Sequence, residues 1–146
     1  MIVHIGADHA GFQLKEHLKK FLQKKGYEVK DWGAYKLVKT DDYPDYAAKV
    51  AKAVQKEGMG ILICGSAEGI CIAANKIKGI RAVPIWNTKL AKLSREHNDA
   101  NVLCLSGWML TKKQAEQIAI TWLKTPFSNK PRHKRRIEKI RRLEWK

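Results

Sequence analysis

Cysteine is scarce in this chain. There are three in 146 residues, an odd number, and no two form a C-x-x-C pair. That count argues against a disulfide framework, and the missing paired spacing argues against a zinc site. A reducing, cytoplasmic setting is the expectation. Long apolar runs are missing too: none approaches the roughly 20 residues that a membrane-crossing helix needs. The first residues, Met1-Ile2-Val3-His4-Ile5-Gly6, have neither a basic leader nor a small-residue cleavage site, and they read as a first strand. No repeat, low-complexity tract or linker divides the chain, so residues 1–146 are expected to form one domain. Acidic residues are few, with 14 Asp and Glu against 29 Lys and Arg, a net charge of +15. Close to half of that excess lies between Lys130 and Lys146. Such a balance favours anionic partners. The basic tail holds only one aromatic residue, Trp145, so it lacks the stacking platforms of a single-strand binder. Nucleic acid is therefore not the expected partner.

What is present is a regular alternation. Apolar runs at Ile2–Gly6, Met59–Cys64, Ile80–Ile85 and Val102–Ser106 predict four strands, and Tyr27–Trp32 reads as another, the second in order. Between them lie helical patterns. Phe12, Leu14, Leu18, Phe21 and Leu22 mark one, which Gly26 stops; Ala47, Val50, Ala51 and Val54 mark another, capped by Asp45. A short helix over Gly69–Ile77, one over Thr88–Glu96, and one capped by Thr111 complete the alternation. Pro126 and Pro131 break the chain before a last helix over 130–146, whose Ile137, Ile140 and Leu143 form a narrow apolar stripe. Strands that are apolar on both faces, each followed by a helix, imply an α/β/α sandwich around a five-stranded parallel sheet, Rossmann-like in its layers. Ligands in such folds bind at the carboxyl ends of the strands. That rule gathers Asp8 and His9, Tyr43, Cys64 to Gly69, and Gly107 with Trp108. His97 and Asn98 do not obey it, because they end a helix just before the fifth strand.

The junction Cys64-Gly65-Ser66-Ala67-Glu68-Gly69 carries the most chemistry. A buried run ends in a thiol, facing the start of a helix. Backbone N–H groups and a positive partial charge collect at such a place, and thiols there ionise more readily than free cysteine. The pairing of a proton-abstracting group with an oxyanion site stands beside a plainer reading, in which Cys64 is a small buried side chain. Cys71 and Cys104 sit within apolar patterns and are expected to pack. A dinucleotide fingerprint is absent, since the Gly65–Gly69 turn does not reproduce G-x-G-x-x-G. The histidines lie on separate segments without metal-ligand spacing, so no metal and no cofactor are expected.

Together these pieces resemble the ribose-5-phosphate isomerase B family, which includes the galactose-6-phosphate isomerase subunits. The resemblance rests on Gly6-Ala7-Asp8-His9-Ala10-Gly11, Asp42-Tyr43-Pro44, Cys64-Gly65-Ser66, Ile72-Ala73-Ala74-Asn75-Lys76, Gly79-Ile80-Arg81-Ala82, Ser94-Arg95-Glu96-His97-Asn98-Asp99, and Arg132-His133 with Arg136. It spans essentially the whole chain in order. It implies a cofactor-independent aldose–ketose isomerase, acting on ribose 5-phosphate and ribulose 5-phosphate or, in the alternative, on a hexose 6-phosphate. A non-catalytic sugar-phosphate sensor is a lower-ranked reading. By the same resemblance Cys64 is the base, His97 opens the sugar ring, Ser66 assists at the enediolate, and Asp8, His9, Tyr43, Gly65, Gly69 and Asn98 contact substrate. Arg132 and Arg136, with His133 assisting, would hold the phosphate. The last helix would reach a second subunit in a homodimer, with a tetramer as the other option. Two departures stand out. In the Cys64 turn Ala67 replaces a usual glycine and Glu68 an apolar residue, with Glu68 expected to be a solvated loop carboxylate; after the fifth strand Trp108 lies at or near the place of an arginine that grips phosphate.

Overall fold

The computed structural model describes residues 1–144; Trp145, expected to end the apolar stripe of the last helix, lies outside them. Strands β1 (Ile2–Ala7), β2 (Glu28–Asp31), β3 (Met59–Cys64), β4 (Ala82–Pro84) and β5 (Val102–Ser106) alternate with helices α1 (Phe12–Lys24), α2 (Tyr43–Lys56), α3 (Glu68–Ala74), α4 (Thr88–Asn98), α5 (Lys112–Lys124) and α6 (Pro131–Leu143). All five strands are parallel, in the order β2-β1-β3-β5-β4.

Side chains alternate across the pleat and sort the core into two layers. Val3, Ile5, Ala7, Ile61, Ile63, Leu103 and Leu105 pack with α1 and α5 and with Ala91 of α4. Leu62, Cys64, Val102 and Cys104 pack on the other face with Ala47, Val50 and Val54 of α2 and Ile70, Cys71 and Ala74 of α3. Right-handed crossovers explain the sorting. The chain moves one way along the sheet from β1 to β2, and the opposite way from β2 to β3 and from β3 to β4. Connections of opposite sense must cross opposite faces, so α2 and α3 share the face that α1 does not. The strand order reverses between β1 and β3, which opens a crevice at their carboxyl ends.

Several element boundaries differ from the sequence expectation, each for a local reason. Helix α2 starts at Tyr43 with Asp42 before it and Pro44 in the first turn. Asp45 therefore lies inside that turn, complementing the helix dipole, and is not the cap; Tyr43 belongs to the helix and not to the loop. Strand β4 is short because side chains occupy the backbone on its entry side. Asn101 Oδ1 accepts from Arg81 N at 2.7 Å, and Asn75 Oδ1 from Ala82 N at 2.8 Å. Helix α4 runs two residues further than its apolar pattern, so His97 and Asn98 form its last turn. Thr111 caps α5 as expected, in a reciprocal capping box with Gln114. Among the described residues, no helix is long and apolar enough to cross a membrane.

Candidate active site

Three strand ends meet at the crevice. After β1 the chain turns through Asp8, whose Oδ1 accepts from Ala10 N at 3.0 Å and Gly11 N at 3.1 Å. The side chain thus shapes the turn ahead of α1. Burial raises the Asp8 carboxyl above its ordinary value, against those two hydrogen bonds. Next to it, His9 Nδ1 lies 2.7 Å from Asp41 Oδ1, and His9 N donates to the same oxygen at 3.0 Å. Tyr46 donates to Asp41 Oδ2 at 3.0 Å. The bond to Asp41 raises the His9 pKa. Burial works to raise Asp41, and the bonds from His9 and Tyr46 outweigh it, leaving that carboxyl low. Burial and the bond to Asp41 push the Tyr46 hydroxyl up to about 12. Among the described residues, Asp8, His9 and Asp41 are the one group whose potential metal-ligand atoms all lie within 4.8 Å of one another. The His9–Asp41 hydrogen bond already accounts for the approach of two of the three.

After β3 stands Cys64, 4% exposed, on the face shared with α2 and α3. Its carbonyl accepts from Gly107 N at 2.8 Å. The turn that follows holds Ala67 at φ 70°, the left-handed region. Alanine is strained there by about 1 kcal/mol or more, and this is the position where the family resemblance carries glycine. Ser66 Oγ accepts from Glu68 N at 3.3 Å, so Glu68 opens α3 with its side chain exposed. The two turn glycines do permit close approach, but of this chain's own aromatics. A Cβ on Gly65 would overlap the Trp108 indole, and one on Gly69 would collide with the Tyr43 ring. After β5, buried Ser106 donates to Gly65 O at 2.6 Å and accepts from Met109 N at 3.0 Å, tying the fifth strand to the Cys64 turn. A cleft of about 550 Å³ opens beside it, lined by His9, Gln13, Leu37, Lys39, Gly107 and Trp108. Sequence reasoning missed Asp41, Tyr46, Ser106 and Lys39. For Asp41 a signal existed, its place in the acidic step ahead of Tyr43-Pro44; the other three carry none.

The remaining candidates lie elsewhere. His97 and Asn98 are exposed at the end of α4, beside the amino ends of the strands. Asn101, three residues on, accepts with its carbonyl from Gly60 N at 2.9 Å. From Gly60 to Cys64 the strand runs about 13 Å, so the sheet itself separates His97 from Cys64. Arg81 and Arg95 clamp the turn behind His97. Arg81 Nε donates to the carbonyls of Asn98 (3.1 Å) and Asp99 (3.0 Å), and Arg95 Nη1 donates to Asp99 Oδ1 (2.9 Å). His133, on α6, stacks on His97 with ring centroids 4.4 Å apart. Arg132 and Arg136 are exposed on α6 four residues apart, as expected; His133 between them is 3% exposed. Cys71 and Cys104 are buried in the core as expected, and burial pushes the Cys104 thiol well up.

Comparison with known proteins bears on this arrangement. The family model "Ribose/Galactose Isomerase" matches residues 3–140. Probable ribose-5-phosphate isomerase B of Mycoplasma genitalium is 43% identical over 145 residues, 97% of this chain and 95% of that protein. Ribose-5-phosphate isomerase B of Escherichia coli is also 43% identical, with the same shares covered. The solved structure of ribose-5-phosphate isomerase B from Clostridium thermocellum superposes with a TM-score of 0.96 at 46% identity, over 99% of this chain and 98% of that one. The Mycoplasma genitalium enzyme, solved with bound ribulose-5-phosphate, gives 0.95 at 42% identity, over 99% and 97%. With near-complete coverage in sequence and in structure, the chain belongs to the ribose/galactose isomerase family, among enzymes of the ribose-5-phosphate isomerase B type.

Proposed function

We propose that this protein interconverts ribose 5-phosphate and ribulose 5-phosphate through an enediolate, with Cys64 as the base, no cofactor, and sites shared between two subunits. The observation that carries the reading is the position of Cys64: at the end of β3, on the β1/β3 crevice, one strand from Asp8. The Cys64 thiolate removes the proton from C2 of the open-chain aldose and returns it to C1. Charge moves to oxygen, where turn N–H groups and the Ser66 hydroxyl receive it. Asp8 uses only Oδ1 within its turn, so Oδ2 is left for a sugar hydroxyl. Asp41 holds His9 by Nδ1, turning Nε2 toward a ligand oxygen. Tyr43 and Gly69 border the same turn.

Ring opening needs a second proton-transfer group near neutral pH. His97 serves in that role, with Asn98 binding hydroxyls and Arg132 and Arg136 gripping phosphate. Because the sheet keeps these groups away from Cys64 of the same chain, they act on the site of a second subunit. The exposed Ile140 and Leu143 on α6 fit a helix that lies against that subunit. Lys39 lines the cleft beside His9 and supplies the cation that Trp108 does not.

Cys64→Ala tests the base directly. Turnover should fall by about 10³-fold or more, while fold and phosphate binding persist. Full activity in that variant would remove the base assignment. A coupled assay offering a hexose 6-phosphate beside the pentose separates the sugars, and the pentose is the expected substrate.

A further inference from the structure

The His97 ring is exposed, but it does not stand free. Beneath it lies His133, with centroids 4.4 Å apart and planes inclined by 33°. His133 Nδ1 sits 2.6 Å from Ser128 Oγ. That hydroxyl also accepts from Lys130 N at 3.2 Å, so Ser128 pins the His133 ring to the start of α6 whichever way the Oγ–Nδ1 bond runs. Burial lowers the His133 pKa, and His97, Arg132, Lys130 and Arg136 act in the same direction. Phe127 lies on the ring as well, at 6.5 Å between centroids. The supporting loop is strapped to α4: Ser128 N donates to Glu96 O at 3.2 Å, and Arg95 Nε to Thr125 O at 3.1 Å.

We propose that His133 is a positioning residue for His97, a buried platform locked by Ser128 that sets the orientation of the His97 ring before substrate arrives. The proposal rests on the ring-opening role of His97, and it replaces the assisting phosphate contact that the family resemblance implied. A histidine at an exposed helix end otherwise samples several rotamers. Proton transfer demands an imidazole nitrogen within hydrogen-bond reach of the ring oxygen, and a misplacement of about 1 Å can cost roughly 100-fold. A neutral platform has a second advantage: it does not repel the imidazolium that forms when His97 takes up the C1 hydroxyl proton.

The full-length variants His133→Ala, His133→Phe and His97→Asn separate the possibilities with two readouts. One is net isomerisation of ribose 5-phosphate. The other is exchange of a C1 proton of ribulose 5-phosphate with deuterated solvent, followed by NMR. The ketose cannot close a furanose ring because its 5-hydroxyl is esterified, so exchange needs the base but not ring opening. His133→Ala should lower kcat for ribose 5-phosphate by about 10- to 100-fold with KM nearly unchanged, while exchange stays within about threefold of wild type. His133→Phe, which restores a flat ring, should recover most of kcat. A raised KM at unchanged kcat would make His133 a phosphate contact and overturn the proposal. Equal loss of both readouts, or wild-type behaviour of His133→Ala, would overturn it too. Undiminished isomerisation in His97→Asn would instead remove the ring-opening reading on which it rests.

Discussion

Asp41 shows how one carboxylate can organise the side chains around it. It takes the His9 ring, the His9 amide and the Tyr46 hydroxyl, and thereby fixes which His9 nitrogen faces the crevice. The His9–Asp41 pair also gives stability a pH signature. His9 is raised in the fold, so its contribution is complete below its unfolded value and fades as pH rises through the higher folded value. Asp41 is lowered, so its contribution is present above its unfolded value and fades as acid titrates it. The difference in thermal midpoint between wild type and Asp41→Asn should therefore be largest near about pH 5 to 6. It should shrink toward about pH 8, to a plateau kept by the Tyr46 and His9 amide bonds. A pH-independent difference would mean that the ion pair contributes nothing. At this scale the sequence announced residue types better than partners. Asp8, His9 and Cys64 were readable from their places after strands. The His9–Asp41 bond spans 32 residues and the His97–His133 stack joins two helices, and no local pattern encodes either.

The inner strands β1, β3 and β5 were legible because burial on both faces of a parallel sheet leaves a continuous apolar signal, and the helices because one apolar face repeats along them. Their ends were not, because ends are set by individual hydrogen bonds, as with Asn75 and Asn101 at β4. Tight joints between elements explain two glycines by opposite physics. Gly11, at an ordinary φ, faces the Ile63 carbonyl so closely that a Cβ would overlap backbone atoms that have nowhere to go. Gly26 ends α1 at φ +92° with open space around it. Gly11→Ala should cost about 3 kcal/mol or more, through overpacking of strand against helix. Gly26→Ala should cost only about 1 kcal/mol, through the left-handed backbone alone. Urea midpoints of the two variants check the order; a Gly26 penalty above that of Gly11 would show the α1–β3 joint to be looser than described. The same joint carries Asp8 and Cys64, so Gly11→Ala should also depress activity.

At the scale of the molecule, the sheet separates the candidate residues between the two ends of its strands. Cys64, Asp8, His9 and Tyr43 gather at the carboxyl ends of the strands, while His97, Asn98, Arg132 and Arg136 gather at the other end with α6. The sequence hinted at this, since His97 and Asn98 end a helix and do not follow a strand. It could not show the separation of about 13 Å along β3, which a histidine side chain does not span. On the proposed function, one subunit contributes the base and another the ring-opening and phosphate-binding groups, in a symmetric pair with two equivalent sites. Mixing two inactive proteins tests this most directly. Cys64→Ala and His97→Asn each lack one half of every site. After subunit exchange at equal concentrations, half of the dimers should be hybrids, each with one site carrying both lesions and one site intact. The mixture should regain about one quarter of wild-type isomerase activity. A mixture that exchanges subunits yet stays as inactive as its parents would contradict the shared site, and with it the account of how Cys64 and His97 work together.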